Sequence, residues 1–129
     1  MNQIYSYDID GVINLDTGRI GIRPGSVNDV IISGRSTDEL TDTIKFLRDN
    51  GIGNYVYLNP IPFEEKTRVL SGIHKGNTIL ALRELGLNIV THYEDDVVQI
   101  EQIMKIVPDL IIIHVNHNGI VNYENVKRG

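Results

Sequence analysis

The chain contains no cysteine, so neither a disulfide framework nor a thiolate metal site is open to it. No apolar run approaches the roughly 20 residues of a membrane span. The longest such stretches are short, as in Leu110-Ile111-Ile112-Ile113. Its first residues, Asn2-Gln3-Ile4-Tyr5 after Met1, carry neither a basic stretch nor a long apolar one, which predicts no secretory signal and a cytoplasmic setting. Clusters of four or more Lys and Arg are missing too, and 12 basic against 17 acidic residues leave a net charge of −5. Proteins that grip many phosphates present a basic face. Avid, sequence-independent nucleic-acid binding is therefore argued against, and nucleic acid enters only as a substrate. There is also no repeat, low-complexity tract or obvious linker. What is present is 129 residues, 41% of them hydrophobic, enough to bury one core without covalent staples.

Short β-prone runs alternate with amphipathic stretches. The runs are Ile4-Tyr5-Ser6-Tyr7, Val30-Ile31-Ile32, Tyr55-Val56-Tyr57-Leu58, Leu87 to Tyr93 and Leu110 to Val115, the last apolar enough to be buried on both faces. Three helices are predicted between them. Ser36-Thr37-Asp38-Glu39 reads as a capping box opening the first, whose Leu40, Ile44 and Leu47 share a face and which Gly51 ends. Ile79, Leu82 and Leu85 place a second, beginning near Thr78 and ending before Gly86, and Ile100, Ile103 and Val107 place a third before Pro108. Such alternation implies βαβ crossovers. The expected fold is α/β, a doubly wound, mostly parallel five-stranded sheet in one domain spanning residues 1–129. The link from Gly11 to Val30 lacks helical periodicity. There Val12-Ile13-Asn14-Leu15 and Arg19-Ile20-Gly21-Ile22 flank Asp16-Thr17-Gly18, which predicts a short β-hairpin flap after strand one.

In an open parallel sheet, ligands bind beyond the carboxyl ends of the strands, so the polar residues there are the candidates. Strand one delivers Asp8 and Asp10, strand two Ser33, and strand four Glu94, Asp95 and Asp96. Carboxylates converging on one rim repel each other unless a hard cation such as Mg²⁺, which prefers oxygen ligands, sits among them. Asp8-Ile9-Asp10-Gly11 puts two carboxylates on one side of an extended segment. One is placed to attack a phosphorus atom and the other to hydrogen-bond the leaving oxygen, with Gly11 letting the chain turn away. The same residues also serve as turn punctuation after a strand. Ser33-Gly34-Arg35 offers a hydroxyl, backbone N–H groups and a guanidinium to phosphoryl oxygens, or simply turns a strand into a helix. Lys75, ahead of Gly76-Asn77, is placed to neutralise a transferring phosphoryl group or to lie exposed; Lys66 competes for that role and His74 is weaker. Asp96 with Gln99 fits a helix N-cap pair, whereas Glu94 and Asp95 have no such structural duty. His92, His114 and His117 lack zinc-ligand spacing and read as structural or exposed.

Taken in order, strand-Asp8-x-Asp10-Gly11-Val12, strand-Ser33, Lys75 before a helix and strand-Glu94-Asp95-Asp96 resemble the four motifs of the haloacid dehalogenase superfamily, and the likeness covers essentially the whole chain. The resemblance implies a Rossmann-like fold and a Mg²⁺-dependent phosphohydrolase that works through an aspartyl-phosphate. By that likeness Asp8 is the nucleophile and Asp10 the general acid, then base. Ser33 and Lys75 hold and neutralise the phosphoryl group, beside Gly34 and Arg35 as substrate-binding residues. Mg²⁺ is held by Asp8, the Asp10 carbonyl and Asp95, with Asp96 or Glu94 in support. Between Asp10 and Ser33 only the flap fits. Between Ser33 and Lys75 there is one helix, the third strand and a loop around Pro60-Ile61-Pro62, so the expected enzyme is capless with an open site. Its substrate is then a nucleotide, a nucleic-acid end or another accessible phosphate. Two other readings stand beside it. A receiver-like signalling module resembles an acidic pair after strand one with a phosphorylated Asp after strand three, where this chain has Leu58-Asn59-Pro60. A catalytically silent phosphate- and Mg²⁺-binding protein on the same scaffold is the other.

Overall fold

In a computed structural model of the chain, residues 2–15, 18–116 and the backbone of 121–124 are described. Strands β1 (Ile4–Tyr7), β2 (Val30–Ser36), β3 (Val56–Asn59), β4 (Ile89–Glu94), β5 (Ile111–Val115) and β6 (Val121–Glu124) form one sheet in the order β3-β2-β1-β4-β5-β6. The first five run parallel, as the alternation of strands and helices implied. β6 is an addition: it turns back antiparallel along β5, with Val115 opposite Val121. The five β-prone runs expected to form the sheet do not include it.

Helices α1 (Leu40–Asp49), α2 (Arg68–Glu84) and α3 (Val97–Ile106) divide between the two faces of the sheet. Along β2 the side chains alternate. Val30 and Ile32 join Ile79 and Leu82 of α2 and Ile100 and Ile103 of α3, while Ile31 joins Leu47 of α1 on the other side. The central strands are covered on both faces; in β5, beside the edge strand β6, Ile112, Ile113 and Val115 are buried but Ile111 is 44% exposed, so this strand is not buried on both faces along its whole length as its apolar run implied. Two short 3₁₀ turns, Thr37–Glu39 and Phe63–Glu65, precede α1 and α2. The capping box is present: Ser36 accepts from the Asp38 N–H at 3.1 Å and Glu39 accepts from the Ser36 N–H at 2.8 Å.

The flap pairs as a hairpin, Leu15 N–H donating to the Arg19 carbonyl and Gly21 N–H to that of Ile13. Its turn residues Asp16 and Thr17 lie outside the described residues. The flap is anchored rather than free, because Ile9, Val12 and Ile13 are buried against Tyr7 and Leu47.

One boundary differs in a way that matters to the site. α2 begins at Arg68, capped by the Thr67 hydroxyl on the Leu70 N–H, so Lys75 lies inside the helix and not ahead of it. Gly72 and Gly76 weakened the helical signal, since each glycine costs a helix about 1 kcal/mol. Both are there for packing on α3: a Cβ at Gly72 would stand 2.8 Å from Gln102 Cβ, and one at Gly76 2.9 Å from Ile106 Cδ1. Close approach of two helices overrides local propensity. Among the described residues no helix is long and apolar enough to cross a membrane.

Candidate active site

Strand register brings the acids together. β1 and β4 are neighbours with Tyr7 beside Tyr93, and the Asp8 N–H donates to the Tyr93 carbonyl at 3.0 Å. Asp8 and the Glu94-Asp95 pair therefore leave the sheet side by side. This is the point where the strand order reverses, since β1 is followed by β2 on one side and β4 sits on the other, and such a reversal opens a crevice at the carboxyl ends. One oxygen from each of Asp8, Glu94 and Asp95 lies within 4.8 Å of the others.

A single ammonium sits among these carboxylates. Lys75 Nζ lies 2.6 Å from Glu94 Oε1 and 3.0 Å from Asp8 Oδ1, with all three side chains at most 7% exposed. Burial pushes Lys75 down, but the charges of Asp8 and Glu94 outweigh it and raise its pKa, keeping the ammonium charged. For Glu94, burial pushes up while Lys75 and then His92 hold the carboxyl well below its ordinary value. Asp8 is moved the other way, raised by burial and by the negative charge of Glu94 beyond what Lys75 offsets. Asp95 is pushed up to about 6 by burial and then by Glu94. One lysine cannot neutralise three acids, and the unbalanced repulsion disfavours the charged forms of Asp8 and Asp95.

These residues fit a divalent cation. The donors are all hard carboxylate oxygens, the set that Mg²⁺ takes, and Gly11 supplies a cradle for one of them. At Gly11, φ is +89°, and a Cβ there would stand 2.0 Å from Asp95 Oδ2. Glycine is required twice over, for the left-handed turn and for the approach of Asp95. Asp8 and Asp95 are the residues that would hold the ion, with Glu94 behind them tied to Lys75.

Asp10 stands apart from the cluster. Its carboxylate is clamped by Arg35, Nε to Oδ2 and Nη2 to Oδ1, both at 2.8 Å. Burial pushes Asp10 up, but hydrogen bonds and charge from Arg35 outweigh it and hold the carboxyl below its ordinary value. Arg35 also donates to the Thr43 hydroxyl at 3.2 Å and lies over the Phe46 ring. Ser33 is 1% exposed, its hydroxyl accepting the Arg35 N–H at 3.0 Å.

Asp96 is occupied elsewhere: it caps α3 through the Val98 N–H at 2.9 Å, accepts from Gln99 Nε2, and forms a bidentate pair with Arg68. The N-cap expected of it is thus present, and it is not among the three carboxylates that meet. Glu94 takes the third place instead.

The cleft above these groups is about 450 Å³, its floor formed by Asp8, Asp10, Gly34, Arg35, Lys75 and Asp95. Lys66, Thr67, Arg68 and Ser71 of the α2 end, with Asp96 and Gln99 at the start of α3, form its wall. Arg68, Ser71 and Gln99 were not singled out as site residues from the sequence. Arg68, Ser71 and Lys75 fall at i, i+3 and i+7, one face of a helix, a signal visible only once α2 starts at Arg68. Lys66 faces the cleft but pairs with Glu39 at 2.9 Å. His74 does not line the cleft, and burial, then the Lys75 charge, lower it to about 4. His114 contacts the Asp95 carbonyl at 3.2 Å; His117 lies outside the described residues. Comparison with models of known protein families and with curated proteins finds no match.

Proposed function

We propose that this chain is a Mg²⁺-dependent phosphomonoesterase working through an aspartyl-phosphate. The observation that carries the reading is the meeting of Asp8, Glu94 and Asp95 around the Lys75 ammonium at the floor of an open cleft. Of the motif positions of the haloacid dehalogenase resemblance, Asp8, Asp10, Lys75, Asp95 and Asp96 line that cleft, Glu94 is tied to Lys75, and Ser33 is buried next to the lining residue Gly34. Asp8 is a carboxylate lining the cleft, suited to attack phosphorus as the bond to the leaving oxygen breaks. Asp10 gives its proton to that oxygen, then takes one from the water that hydrolyses the acyl-phosphate. For this, Arg35 has to turn its guanidinium from Asp10 to a phosphoryl oxygen, which returns Asp10 toward the ordinary carboxyl range at the moment a proton is needed. Lys75 and the Ser33 hydroxyl stabilise charge on the transferring group. Bound Mg²⁺ supplies positive charge that lets the phosphate dianion approach Asp8.

The open cleft, with no inserted cap among the described residues, leaves room for a nucleotide, a nucleic-acid end or another accessible phosphate as substrate. One observation favours a catalytically silent phosphate- and Mg²⁺-binding protein instead: the bidentate Arg35 clamp keeps Asp10 ionised. Phosphate release from an aryl phosphate, followed with and without Mg²⁺, separates the two. Hydrolysis that requires Mg²⁺ and is abolished in Asp8→Asn is the expected result. Unchanged turnover in that variant removes the nucleophile, and binding without turnover in the native protein leaves the silent reading.

A further inference from the structure

Behind Asp8 the line of buried polar groups continues away from the cleft. Ser6 on β1 and His92 on β4 are register partners, both 0% exposed. His92 Nδ1 lies 2.7 Å from Ser6 Oγ, and His92 Nε2 lies 3.1 Å from Glu94 Oε1. That oxygen is the one on which Lys75 sits at 2.6 Å, and Lys75 in turn reaches Asp8 at 3.0 Å. The tautomer follows from the partners. An ionised Glu94 only accepts, so Nε2 carries the hydrogen, and Nδ1 accepts from the Ser6 hydroxyl at 2.7 Å in preference to the Thr91 carbonyl, 3.4 Å from that hydroxyl. The other Glu94 oxygen, Oε2, takes the longer bond from the Asp96 N–H at 3.3 Å. A carboxylate turns easily about its last torsion, and the Nε2–H bond acts with the Lys75 ammonium and the Asp96 N–H to fix its plane.

We propose that His92 is a positioning residue: held by Ser6, its Nε2–H helps fix the plane of Glu94, which in turn holds the Lys75 ammonium on Asp8. The effect on rate rests on the phosphohydrolase reading; the effect on Lys75 does not. Two substitutions of equal polarity separate this role from simple packing. The amide of His92→Gln ends where Nε2 was and still donates to Glu94. The shorter His92→Asn ends where Nδ1 was, reaching Ser6 but not Glu94. With saturating Mg²⁺ and an aryl phosphate, His92→Gln is expected to keep kcat within about threefold of native while His92→Asn loses at least about tenfold, both with KM within about twofold.

A second readout needs no turnover. The Lys75 ¹⁵Nζ ammonium resonance, assigned by its loss in Lys75→Met, is expected to persist as a slowly exchanging signal in native protein and His92→Gln and to vanish into exchange in His92→Asn. Equal loss of kcat in both variants, or a Lys75 signal unchanged in His92→Asn, overturns the assignment. Native protein without turnover defeats the phosphohydrolase reading alone, and the Lys75 signal then decides the positioning role. Where His92→Asn does not fold, Ser6→Ala replaces it, removing only the hydroxyl that holds Nδ1. A lower kcat at unchanged KM, or a faster-exchanging Lys75, supports the role, and no change in either overturns it.

Discussion

Replacing Lys75 with methionine deletes one charge from the most buried part of the site. The ammonium is 1% exposed and lies within 3.0 Å of two carboxylates, themselves 7% and 0% exposed. Methionine nearly matches the lysine stem in volume, so little of the effect arises from a cavity. What remains is a buried Glu94 without its counter-ion, and breaking a buried pair by removing one partner costs about 3–5 kcal/mol. For a chain of this size each kcal/mol moves the melting temperature by about 3–5 °C, so a fall of about 10–20 °C is expected. The contribution of Glu94 to the pH dependence should also change sign. In the native protein Glu94 is held below its ordinary value of 4.5, so its stabilisation is present above that pH and is lost as pH falls below it. Lys75 is held above its ordinary 10.5, so its part is present below that pH and fades only as pH rises beyond it. Without the ammonium, burial alone acts on Glu94 and raises it, and Lys75→Met should gain stability as pH falls from 7 toward 5. Thermal unfolding followed by circular dichroism at pH 7 and pH 5 measures both effects. A loss under about 1 kcal/mol at pH 7, or a variant further destabilised at pH 5, would refute the account of Lys75 as the charge that permits this cluster.

Three further outcomes follow from the same geometry. With Asp95 pushed up to about 6, a divalent cation must displace a proton at pH 5 but not at pH 7.5. Mg²⁺ affinity by calorimetry should therefore fall by up to about tenfold per pH unit below pH 6, and equal affinity at both pH values contradicts it. Gly11→Ala meets Asp95 Oδ2 at 2.0 Å and must adopt φ +89°, so about 1–2 kcal/mol of strain is expected, with Mg²⁺ affinity down at least about tenfold. Native-like Mg²⁺ binding in that variant would separate Gly11 from the metal site. Removing the guanidinium in Arg35→Ala releases Asp10, whose carboxyl then rises. In a pH profile of kcat/KM the limb governed by a protonated Asp10 should move to higher pH, and a stationary limb would place the general acid elsewhere.

The sheet itself was legible because strands and helices leave different periodicities. Val30 to Ile32 and Leu110 to Val115 are short apolar runs bounded by turn residues, as strands are, and the capping box at Ser36 marked the 3₁₀ turn that leads into α1. Asp8, Asp10 and Glu94-Asp95 could be assigned to one rim from topology alone, since parallel strands deliver their carboxyl ends to the same edge. Gly11 announced a turn in sequence, but only the fold shows Asp95 pressed against its Cα.

What sequence could not decide was which carboxylates face one another and what balances them. Asp8, Asp10, Glu94, Asp95 and Asp96 are chemically alike, and their separation depends on side-chain direction. Asp96 was claimed by the N-terminus of α3 and Arg68, Asp10 by Arg35, and Glu94 was driven inward to Lys75 and His92. The start of α2 was hidden for a related reason, because Gly72 and Gly76 answer to α3, a partner distant in the chain. Local pattern reports how a segment behaves by itself, while ion pairing and helix contact depend on neighbours that only the folded chain brings within 3 Å.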